Sequence, residues 1–417
     1  MEKLLIEGGR SLNGEINISG MKNSALPIIF SCLLIKDECI IHNVPRVSDV
    51  IITLEILRGL GAKAEFFKTN SVRIDSTNAT NDIKNQELVS KMRASSYLMG
   101  TLLARFGEVS INMPGGCNFG VRPIEQHLMG FEMLGGICTE KNGKIKINAP
   151  KGLKSKKITL DKISVGATIN MVLASIYLDG LTIVQNCAIE PHVDDLIRFL
   201  NRCGAKIIRQ GRTIYVYGVN MLHGTEYNVY PDMIEALTYM CFTGICGGKV
   251  TLHSVVPHHL NCTTNVLRKM GLMIHEYGDT IDIVCSKTLR GANVVTAPYP
   301  FFPTDIHPQF SALLCYTSDG GSVREEIFPT RFAYVKELEK MGARIKLLDN
   351  IAVVSKSSLK GTEVDATDLR AGAALIAAAL GICDTCKISN VNYIIRGYEN
   401  LISKISDLGG KIKLINN

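Results

Sequence analysis

The sequence predicts an α/β protein built from six similar units, arranged as two similar domains of three units each. A short phrase, in which a hydrophobic residue or a cysteine precedes a glycine, recurs at intervals of 67 to 74 residues along the whole chain. The segments between its copies repeat one order of apolar and alternating stretches. With 417 residues, 46% of them hydrophobic, the chain can form more than one core. The six glycines are Gly61, Gly135, Gly204, Gly271, Gly342 and Gly409.

Each unit is predicted to run strand, helix, strand, helix, strand, strand. Residues 47–61 show the second helix of a unit, with apolar residues at helical spacing and a glycine at its end. The alternating residues 62–75 then predict the two closing strands. Earlier in each unit lies a strongly apolar helix, such as residues 370–381, which we expect to be buried on all sides. Three units per half predict two domains with a ligand held between them.

Composition restricts the class of partner. The net charge of +7, from 46 basic and 39 acidic residues, suits anionic small molecules and does not require nucleic acid. A repeat protein that grips nucleic acid would also need interleaved aromatic and basic residues, which are missing here. The longest apolar stretch, Ala371 to Cys383, is too short to span a bilayer. The first residues contain no long apolar run. We therefore expect a cytoplasmic protein that binds neither membrane nor nucleic acid.

Cysteine usage predicts free thiols and no metal site. The chain has 13 cysteines, mostly in apolar contexts, as expected of buried thiols in a reducing compartment. The pair Cys383 and Cys386 has no second such pair opposite it, so it is weak evidence for zinc. Cys117 differs, because it lies in the glycine-rich stretch "MPGGCNFGVRP" with Arg122 close behind. Glycines disfavour a regular helix or strand there, and a nearby cation favours the thiolate. This setting indicates a reactive thiol.

Seven stretches, in order and spacing, resemble the UDP-N-acetylglucosamine 1-carboxyvinyltransferase family of enolpyruvyl transferases. That resemblance implies an inside-out α/β barrel of two domains, each with three βαβαββ units, between which the chain crosses twice. The first domain would span residues 22–230 and carry the cysteine loop. The second would combine residues 1–21 and 231–417, with the active site between the two. The related EPSP synthase branch fits less well, because it lacks the cysteine loop. The seven stretches are "SGMKNSALP", "KMRASSYLMG", "PGGCNFGVRP", "DKISVGAT", "FPTD", "ATDLRAG" and "RGYEN".

The resemblance implies a transferase of cell-wall biosynthesis. Such an enzyme moves the enolpyruvyl group of phosphoenolpyruvate to the 3-hydroxyl of UDP-N-acetylglucosamine and releases phosphate. This is the first committed step of peptidoglycan synthesis, on which cell shape and cell division depend. No metal or organic cofactor is implied, and the two substrates are the expected partners of a monomer or weak homo-oligomer.

Catalytic roles follow from the same resemblance. Cys117 would protonate C3 of phosphoenolpyruvate or attack C2, and it would be the point of attachment of the antibiotic fosfomycin. Asp305 would remove the proton of the sugar hydroxyl. A dry site would raise the pKa of Asp305 and neighbouring arginines would lower it, and the sequence leaves open which effect prevails. Asp305 could also cap the helix that follows it. Lys22, Arg122 and Arg396 would hold the phosphate, and Arg331 and Arg370 the carboxylate.

The remaining predicted contacts concern the sugar nucleotide. The resemblance places Arg122, Pro123, Glu125 and Gln126 along the uracil and ribose. It places Lys162, Ser164, Val165 and Gly166 at the diphosphate, where the backbone N–H groups at a helix start suit phosphate oxygens. Asn23 would hold the sugar, although it could instead be a helix N-cap. Arg93 and Ile327 complete the predicted substrate-binding set.

Some positions depart from the pattern of the family. Glu125 and Gln126 stand where Asp and Leu are usual, Met233 stands where Arg is common, and Tyr393 and Ile395 precede "RGYE". These changes flank the charged set without removing it. They leave two alternatives open: an enolpyruvyl transferase with a different hydroxyl acceptor, or a sugar-nucleotide-binding protein without catalytic activity.

Overall fold

The computed structural model describes residues 2–115 and 124–416, and these divide into two compact units. The terminal unit comprises residues 2–19 and 231–416, and the central unit comprises residues 20–115 and 124–230. The chain passes from one to the other after Ser19 and again after Tyr230. Each unit has a hydrophobic core of its own.

Strands are numbered in chain order over the described residues. They are β1 Glu2–Glu7, β2 Leu12–Asn17, β3 Glu38–His42, β4 Lys63–Lys68, β5 Ser71–Asp75, β6 Glu108–Asn112, β7 Ile137–Lys141, β8 Lys144–Asn148, β9 Lys157–Thr159, β10 Leu181–Gln185, β11 Lys206–Gln210, β12 Thr213–Tyr217, β13 Glu226–Asn228, β14 Gly248–His253, β15 Met273–Tyr277, β16 Thr280–Cys285, β17 Ala292–Val295, β18 Gly321–Arg324, β19 Arg344–Leu348, β20 Ile351–Ser355, β21 Glu363–Asp365, β22 Thr385–Ser389 and β23 Lys411–Asn416.

Helices are numbered in the same way. They are α1 Lys22–Ser31, α2 Ser48–Gly59, α3 Gln86–Ser90, α4 Tyr97–Phe106, α5 Glu125–Met133, α6 Val165–Ser175, α7 Pro191–Arg202, α8 Met233–Cys246, α9 Asn261–Met270, α10 His307–Leu314, α11 Ala333–Lys340, α12 Leu369–Gly381, α13 Asn392–Ile395 and α14 Leu401–Asp407. Short 3₁₀ segments occur at Cys32–Leu34, Arg93–Ser96 and Pro257–His259.

The strands form six small sheets over the described residues. In each of them three strands run antiparallel, and in five of the six sheets formed by the described residues a fourth strand joins one edge in parallel. The terminal unit contains the sheets β21-β22-β1-β23, β15-β16-β14-β2 and β17-β18-β20-β19. The central unit contains β11-β12-β10-β9, β13-β3-β5-β4 and β6-β8-β7. The predicted α/β class and its repeating element order are confirmed.

The two crossings of the chain exchange strands between repeats. Strand β2 precedes α1 of the central unit, but it pairs in parallel with β14 of the terminal unit. Conversely, β13 precedes α8 of the terminal unit and pairs in parallel with β3 of the central unit. Strand β1 closes the last sheet, where Leu4 lies opposite both Ile388 and Leu414. None of these pairings is visible in the local sequence, because each joins segments far apart in the chain.

The recurring glycines end helices, as the sequence predicts. All six adopt a positive φ, between 88° and 108°. This left-handed conformation turns the chain out of a helix and into the next strand, and an L side chain would be strained there. The repeated phrase is therefore the chain reversal between the second helix of each repeat and its closing strands.

The apolar helices are buried as predicted. In α12 every residue from Leu369 to Leu380 is buried. Helix α4 has the same place in the second repeat and packs against α6, which the apolar pattern alone did not indicate. Gly100 of α4 permits this approach, since a Cβ there would lie 2.7 Å from the backbone oxygen of Asn170. No helix within the described ranges is both long and apolar enough to cross a bilayer.

Candidate functional site

Asp305 of the terminal unit is held by two arginines. Its Oδ1 accepts a hydrogen bond from Nη1 of Arg331 at 2.7 Å, and its Oδ2 accepts one from Nη2 of Arg370 at 3.1 Å. The two arginine side chains are only 3% and 4% exposed, whereas the side chain of Asp305 is 27% exposed. Two nearly buried cations thus present a carboxylate that solvent or a ligand can reach. The structure brings these three predicted site residues together.

The structure does not use Asp305 as the N-cap of α10. That helix begins at His307, and the cap position is occupied by Ile306, whose side chain makes no capping hydrogen bond. The two hydrogen bonds of the carboxylate described above come from guanidinium groups. The alternative interpretation of Asp305 as a helix cap is wrong.

A second layer of polar side chains lies behind Arg331. Nη1 of Arg331 also donates to Oγ1 of Thr304 at 3.0 Å, and that hydroxyl donates to Oε2 of Glu325 at 2.9 Å. The same oxygen of Glu325 lies 2.9 Å from Nδ1 of His307. Burial by itself raises the pKa of Glu325, but the hydrogen bonds that it accepts, with that from His307 foremost, lower the pKa below its ordinary value.

Arg370 packs against a different set of side chains. Its guanidinium carbon lies 5.4 Å from the centre of the Tyr398 ring. The Tyr398 hydroxyl in turn lies 3.0 Å from Oγ1 of Thr238 and accepts from Nε2 of Gln309 at 2.9 Å. Nη1 of Arg370 is buried and has no hydrogen-bond partner within the described residues. The guanidinium is thus enclosed by Tyr398 and Asp305, and it is nearly buried.

In the central unit, the predicted diphosphate contacts lie at the start of α6. Ser164 is the N-cap, and its Oγ accepts from the backbone N–H of Ala167 at 3.3 Å. The helix begins at Val165 and contains no acidic residue in its first turn. The first N–H groups of a helix carry a partial positive charge, so a neutral cap leaves the end attractive to phosphate. Lys162, three residues before the helix, is exposed.

A buried histidine supports this helix start. A Cβ on Gly166 would lie 2.8 Å from Cε1 of His127, so only glycine fits against the imidazole. Nδ1 of His127 accepts a hydrogen bond from the amide nitrogen of Asn170 at 2.8 Å, whose oxygen accepts from the N–H of Gly100. Since the amide oxygen is occupied, its nitrogen must be the donor. Burial, assisted by the charge of Arg93, lowers the pKa of His127 to about 3.

Lys22 and Asn23 lie at the start of α1. Nζ of Lys22 lies 3.1 Å from Oδ2 of Asp49, and both side chains are largely buried. The helix begins at Lys22 itself, with Met21 in the cap position. Asn23 is therefore not an N-cap, and that alternative interpretation is wrong.

Arg93, Glu125 and Gln126 occupy neighbouring parts of the central unit. Burial lowers the pKa of Arg93, against the opposing effects of Tyr97 and Glu125. Glu125 begins α5 and is exposed. Gln126 is half-buried, and its side-chain oxygen has no hydrogen-bond partner within the described part of the chain. An unsatisfied acceptor of this kind suits a ligand that donates a hydrogen bond.

The remaining predicted residues divide into two groups. In the terminal unit, Arg396 caps the short helix α13 and is half-buried, and the N–H of Ile327 donates to Oε1 of Glu325 at 2.8 Å. Cys117, Arg122 and Pro123 lie outside the described residues, so their roles stay predictions.

Sequence reasoning missed the polar groups that stand behind the predicted residues. Thr304 lies within the stretch "FPTD" but is assigned no role, and Asp49, His307 and Glu325 lie in none of the seven stretches. A weak signal did exist for His307, which is a polar residue at the start of a largely apolar helix. Glu325 follows a short strand, where a charged residue is ordinarily exposed, so no sequence pattern predicts its burial.

Comparison with known proteins gives concordant results over the whole chain. Residues 6–405 match the family described as EPSP synthase (3-phosphoshikimate 1-carboxyvinyltransferase). The chain is 42% identical to UDP-N-acetylglucosamine 1-carboxyvinyltransferase 2 of Clostridium acetobutylicum, with 99% of each chain covered. It is 44% identical to UDP-N-acetylglucosamine 1-carboxyvinyltransferase of Clostridium botulinum, again with 99% of each covered.

Solved structures agree with the fold. The enolpyruvyl transferase NikO from Streptomyces tendae superimposes with a TM-score of 0.91 at 24% identity, over 100% of this chain and 99% of that one. EPSP synthase from Acinetobacter baumannii gives a TM-score of 0.76 at 19% identity, with both chains fully covered. At these identities the likeness concerns the fold alone.

Proposed function

This chain belongs to the EPSP synthase family of enolpyruvyl (1-carboxyvinyl) transferases, and we propose that it transfers the enolpyruvyl group of phosphoenolpyruvate to the 3-hydroxyl of UDP-N-acetylglucosamine. The observation that carries this proposal is the similarity over the full chain to relatives named for that substrate. The charged cluster around Asp305 supports it, because it supplies a carboxylate flanked by two nearly buried cations.

At each of the two reacting carbons of phosphoenolpyruvate, C2 and C3, the reaction forms one single bond and later breaks one. The sugar oxygen bonds to C2 of phosphoenolpyruvate as its proton passes to Asp305, and C3 gains a proton from Cys117. The tetrahedral adduct then loses phosphate from C2 while the Cys117 thiolate takes a proton back from C3, which restores the double bond, and Asp305 gives its proton to the departing phosphate. We assign Asp305 as the general base and Cys117 as the general acid. The accessible carboxylate of Asp305 suits this role, because a base must reach the proton that it removes.

Anion binding accounts for the proposed roles of the remaining residues. The substrates carry a phosphate, a carboxylate and a diphosphate, and each needs cationic or N–H donors in a site that excludes water. We assign the carboxylate to Arg331 and Arg370, and their shared orientation towards the accessible Asp305 supports this. Lys22, Arg122 and Arg396 would hold the phosphate, and Lys162 with the start of α6 would hold the diphosphate. Arg93, Asn23, Pro123, Glu125, Gln126 and Ile327 complete the proposed contacts.

The test is phosphate release from phosphoenolpyruvate with and without UDP-N-acetylglucosamine. We expect release only when that sugar nucleotide is added, with turnover lost in Asp305→Ala and Cys117→Ala. A panel of other hydroxyl acceptors is run alongside. Release with another acceptor alone would identify a transferase of different specificity. Binding of the sugar nucleotide without any release would identify a binding protein.

A matched control separates the role of Cys117 from general effects of thiol removal. Cys383 is the exposed cysteine among the described residues, and Cys383→Ala should retain full activity. We expect fosfomycin to attach covalently to Cys117 and not to Cys383, which peptide mass spectrometry can resolve. Modification elsewhere, with turnover unaffected, would contradict the assignment of Cys117. We expect the enzyme to act in the cytoplasm as a monomer or weak homo-oligomer.

A further inference from the structure

Glu325 is a buried carboxylate whose hydrogen bonds tie the segment around Asp305 to a strand. It directly follows β18 and is 0% exposed. Its Oε1 accepts from the backbone N–H groups of Ile327 and Phe328, both at 2.8 Å. Its Oε2 faces Thr304 and His307, both at 2.9 Å. With four donors around it, the carboxylate is satisfied, and its position is fixed on both sides.

The two side chains that meet Oε2 bracket Asp305 in the sequence. Thr304 immediately precedes Asp305, and His307 follows two residues later. One oxygen of Glu325 therefore accepts hydrogen bonds from side chains on both sides of the proposed base. Because Ile306 makes no capping hydrogen bond, the start of α10 does not hold this segment in place by the usual means.

Through Thr304, Glu325 also influences the orientation of the Arg331 guanidinium. A carboxylate only accepts, so the hydroxyl of Thr304 must donate to Glu325 and its oxygen is left to accept from Nη1 of Arg331. The two hydrogens of that Nη1 are then directed to Thr304 and to Oδ1 of Asp305. The orientation of the Arg331 guanidinium, and with it one of the two bonds to Asp305, depends on Glu325 through Thr304.

The imidazole ring of His307 is held by hydrogen bonds at both of its nitrogens. Its Nδ1 must donate to Glu325, which leaves Nε2 to accept from the hydroxyl of Tyr334 at 2.9 Å. The Tyr334 oxygen in turn lies 2.8 Å from Oγ of Ser311. Burial lowers the pKa of His307 despite the neighbouring carboxylate, which agrees with a neutral ring that donates at one nitrogen and accepts at the other. All four side chains are essentially buried.

We propose that Glu325 and His307 are positioning residues, which act through Thr304 and Arg331 to hold the carboxylate of Asp305 in the geometry that proton removal requires. This inference rests on the proposed function, in which Asp305 is the base. Neither residue touches a substrate in this proposal.

The first test is Glu325→Gln, which keeps the shape and replaces one acceptor oxygen by a donor. The new amide nitrogen is a donor and faces two donors in either orientation, namely Thr304 and His307 or the backbone N–H groups of Ile327 and Phe328, so the anchoring of Arg331 through Thr304 is weakened. We expect kcat to fall by about 10- to 100-fold with the KM for both substrates changed less than threefold, since misplacement by about 1 Å costs on this scale. Glu235→Gln is the matched control. Glu235 is equally buried and paired with Lys404, and its substitution should lower stability and leave kcat unchanged.

The second test uses rescue at His307. In His307→Asn the amide nitrogen takes the position of Nδ1 and can still donate to Glu325, whereas His307→Leu has no donor. We expect the leucine variant to lose kcat by about tenfold and the asparagine variant to recover most of it. Equal kcat in both variants, at equal thermal stability, would overturn the proposal. This pair also decides the matter if Glu325→Gln does not fold.

A crystallographic measurement keeps the inference separate from the proposed reaction. In crystals of Glu325→Gln we expect the bond between Arg331 Nη1 and Asp305 Oδ1 to lengthen or Arg331 to take a second conformer. The Glu235→Gln control should keep the 2.7 Å contact. An unchanged Arg331 and Asp305 in Glu325→Gln would overturn the positioning role. A wild-type chain that releases no phosphate with any acceptor, while Arg331 moves in the variant, would contradict only the proposed function.

Discussion

Three aspartates stand before the three buried helices of the terminal unit, and one of them differs from the other two. Asp232 caps α8 by accepting from the N–H groups of Ile234 and Glu235, and Asp368 caps α12 in the same way. Both are nearly buried. Asp305 lies two residues before the first residue of α10, so its carboxylate turns to Arg331 and Arg370.

Relative to Asp232 and Asp368, Asp305 lies one residue further from its helix. This shift distinguishes a carboxylate that stabilises a helix from one that can take part in a reaction. A carboxylate that caps a helix has its oxygen occupied by backbone N–H groups and is committed to stability. A carboxylate held by arginine side chains stays charged and partly exposed, and it can meet a substrate. Repeated folds therefore allow one copy of a structural residue to acquire chemistry while the other copies maintain the fold.

The largest expected effect lies at the displaced aspartate. In Asp305→Asn the amide can still accept a hydrogen bond from an arginine, but it cannot take up a proton. We expect kcat for phosphate release to fall by about 10²- to 10⁴-fold, the usual range for loss of a general base, with little change in thermal stability. Activity within threefold of the wild type would show that the comparison with Asp232 and Asp368 has no catalytic meaning.

The second expected effect tests whether His127, which lies against the start of α6 in the central unit, stays neutral in the folded protein. The pKa of His127 is lowered to about 3 by burial and by Arg93, so the unfolded chain binds this proton more readily than the folded chain below pH 6.5. The contribution of neutral His127 to the free energy of unfolding is fully present above pH 6.5 and is lost as the pH falls towards 3. The loss is about 1.4 kcal/mol per pH unit, or about 2 kcal/mol at pH 5.

Urea unfolding of the wild type and His127→Asn between pH 7 and pH 5 measures this loss. The asparagine oxygen can replace Nδ1 as the acceptor for Asn170, but it does not titrate in this range. We expect the pH dependence of stability to be steeper in the wild type by the amount given above. Equal slopes in the two proteins would contradict a neutral, buried His127.

A third effect concerns the cap of α6, which is a serine where α8 and α12 of the terminal unit have an aspartate. Ser164→Asp keeps a capping acceptor and should leave stability unchanged or raise it by a few tenths of a kcal/mol. The added negative charge would oppose a diphosphate at the same helix end. We therefore expect the KM for UDP-N-acetylglucosamine to rise by roughly tenfold or more, with Ser164→Thr as the neutral control. An unchanged KM would remove α6 from the proposed diphosphate site.

The smallest effect lies at an aspartate that remains a cap. Asp232→Ala removes the acceptor for the N–H groups of Ile234 and Glu235, which should lower the free energy of unfolding by about 1 kcal/mol in urea titrations. Asp232→Asn, which can still cap, should recover most of that loss. A loss in the alanine variant as small as that in Asp232→Asn would show that the cap contributes little at this helix.

Part of the fold and of the site could be predicted because it depends on local signals. The recurring glycines each adopt the positive φ that a helix end requires, and the apolar run of α12 is buried throughout. The family resemblance predicts Arg331, Arg370 and Asp305 as site residues, and the three side chains do meet. The role of Asp305 as a cap was predicted as an alternative and is wrong, because a shift of one residue in the helix start is below what sequence patterns resolve.

The sequence by itself determined the repeat, the class of fold and the set of charged residues, since helix ends and buried faces follow from side chains that are near one another in the chain. Only the tertiary structure decided which charges are paired and which stay accessible. Thr304, His307 and Glu325 meet at one carboxylate oxygen only after β18 and α10 have packed together. The same holds for the pairing of β1 with β22 and β23. Contacts of this kind depend on distance in space, which a linear pattern does not encode.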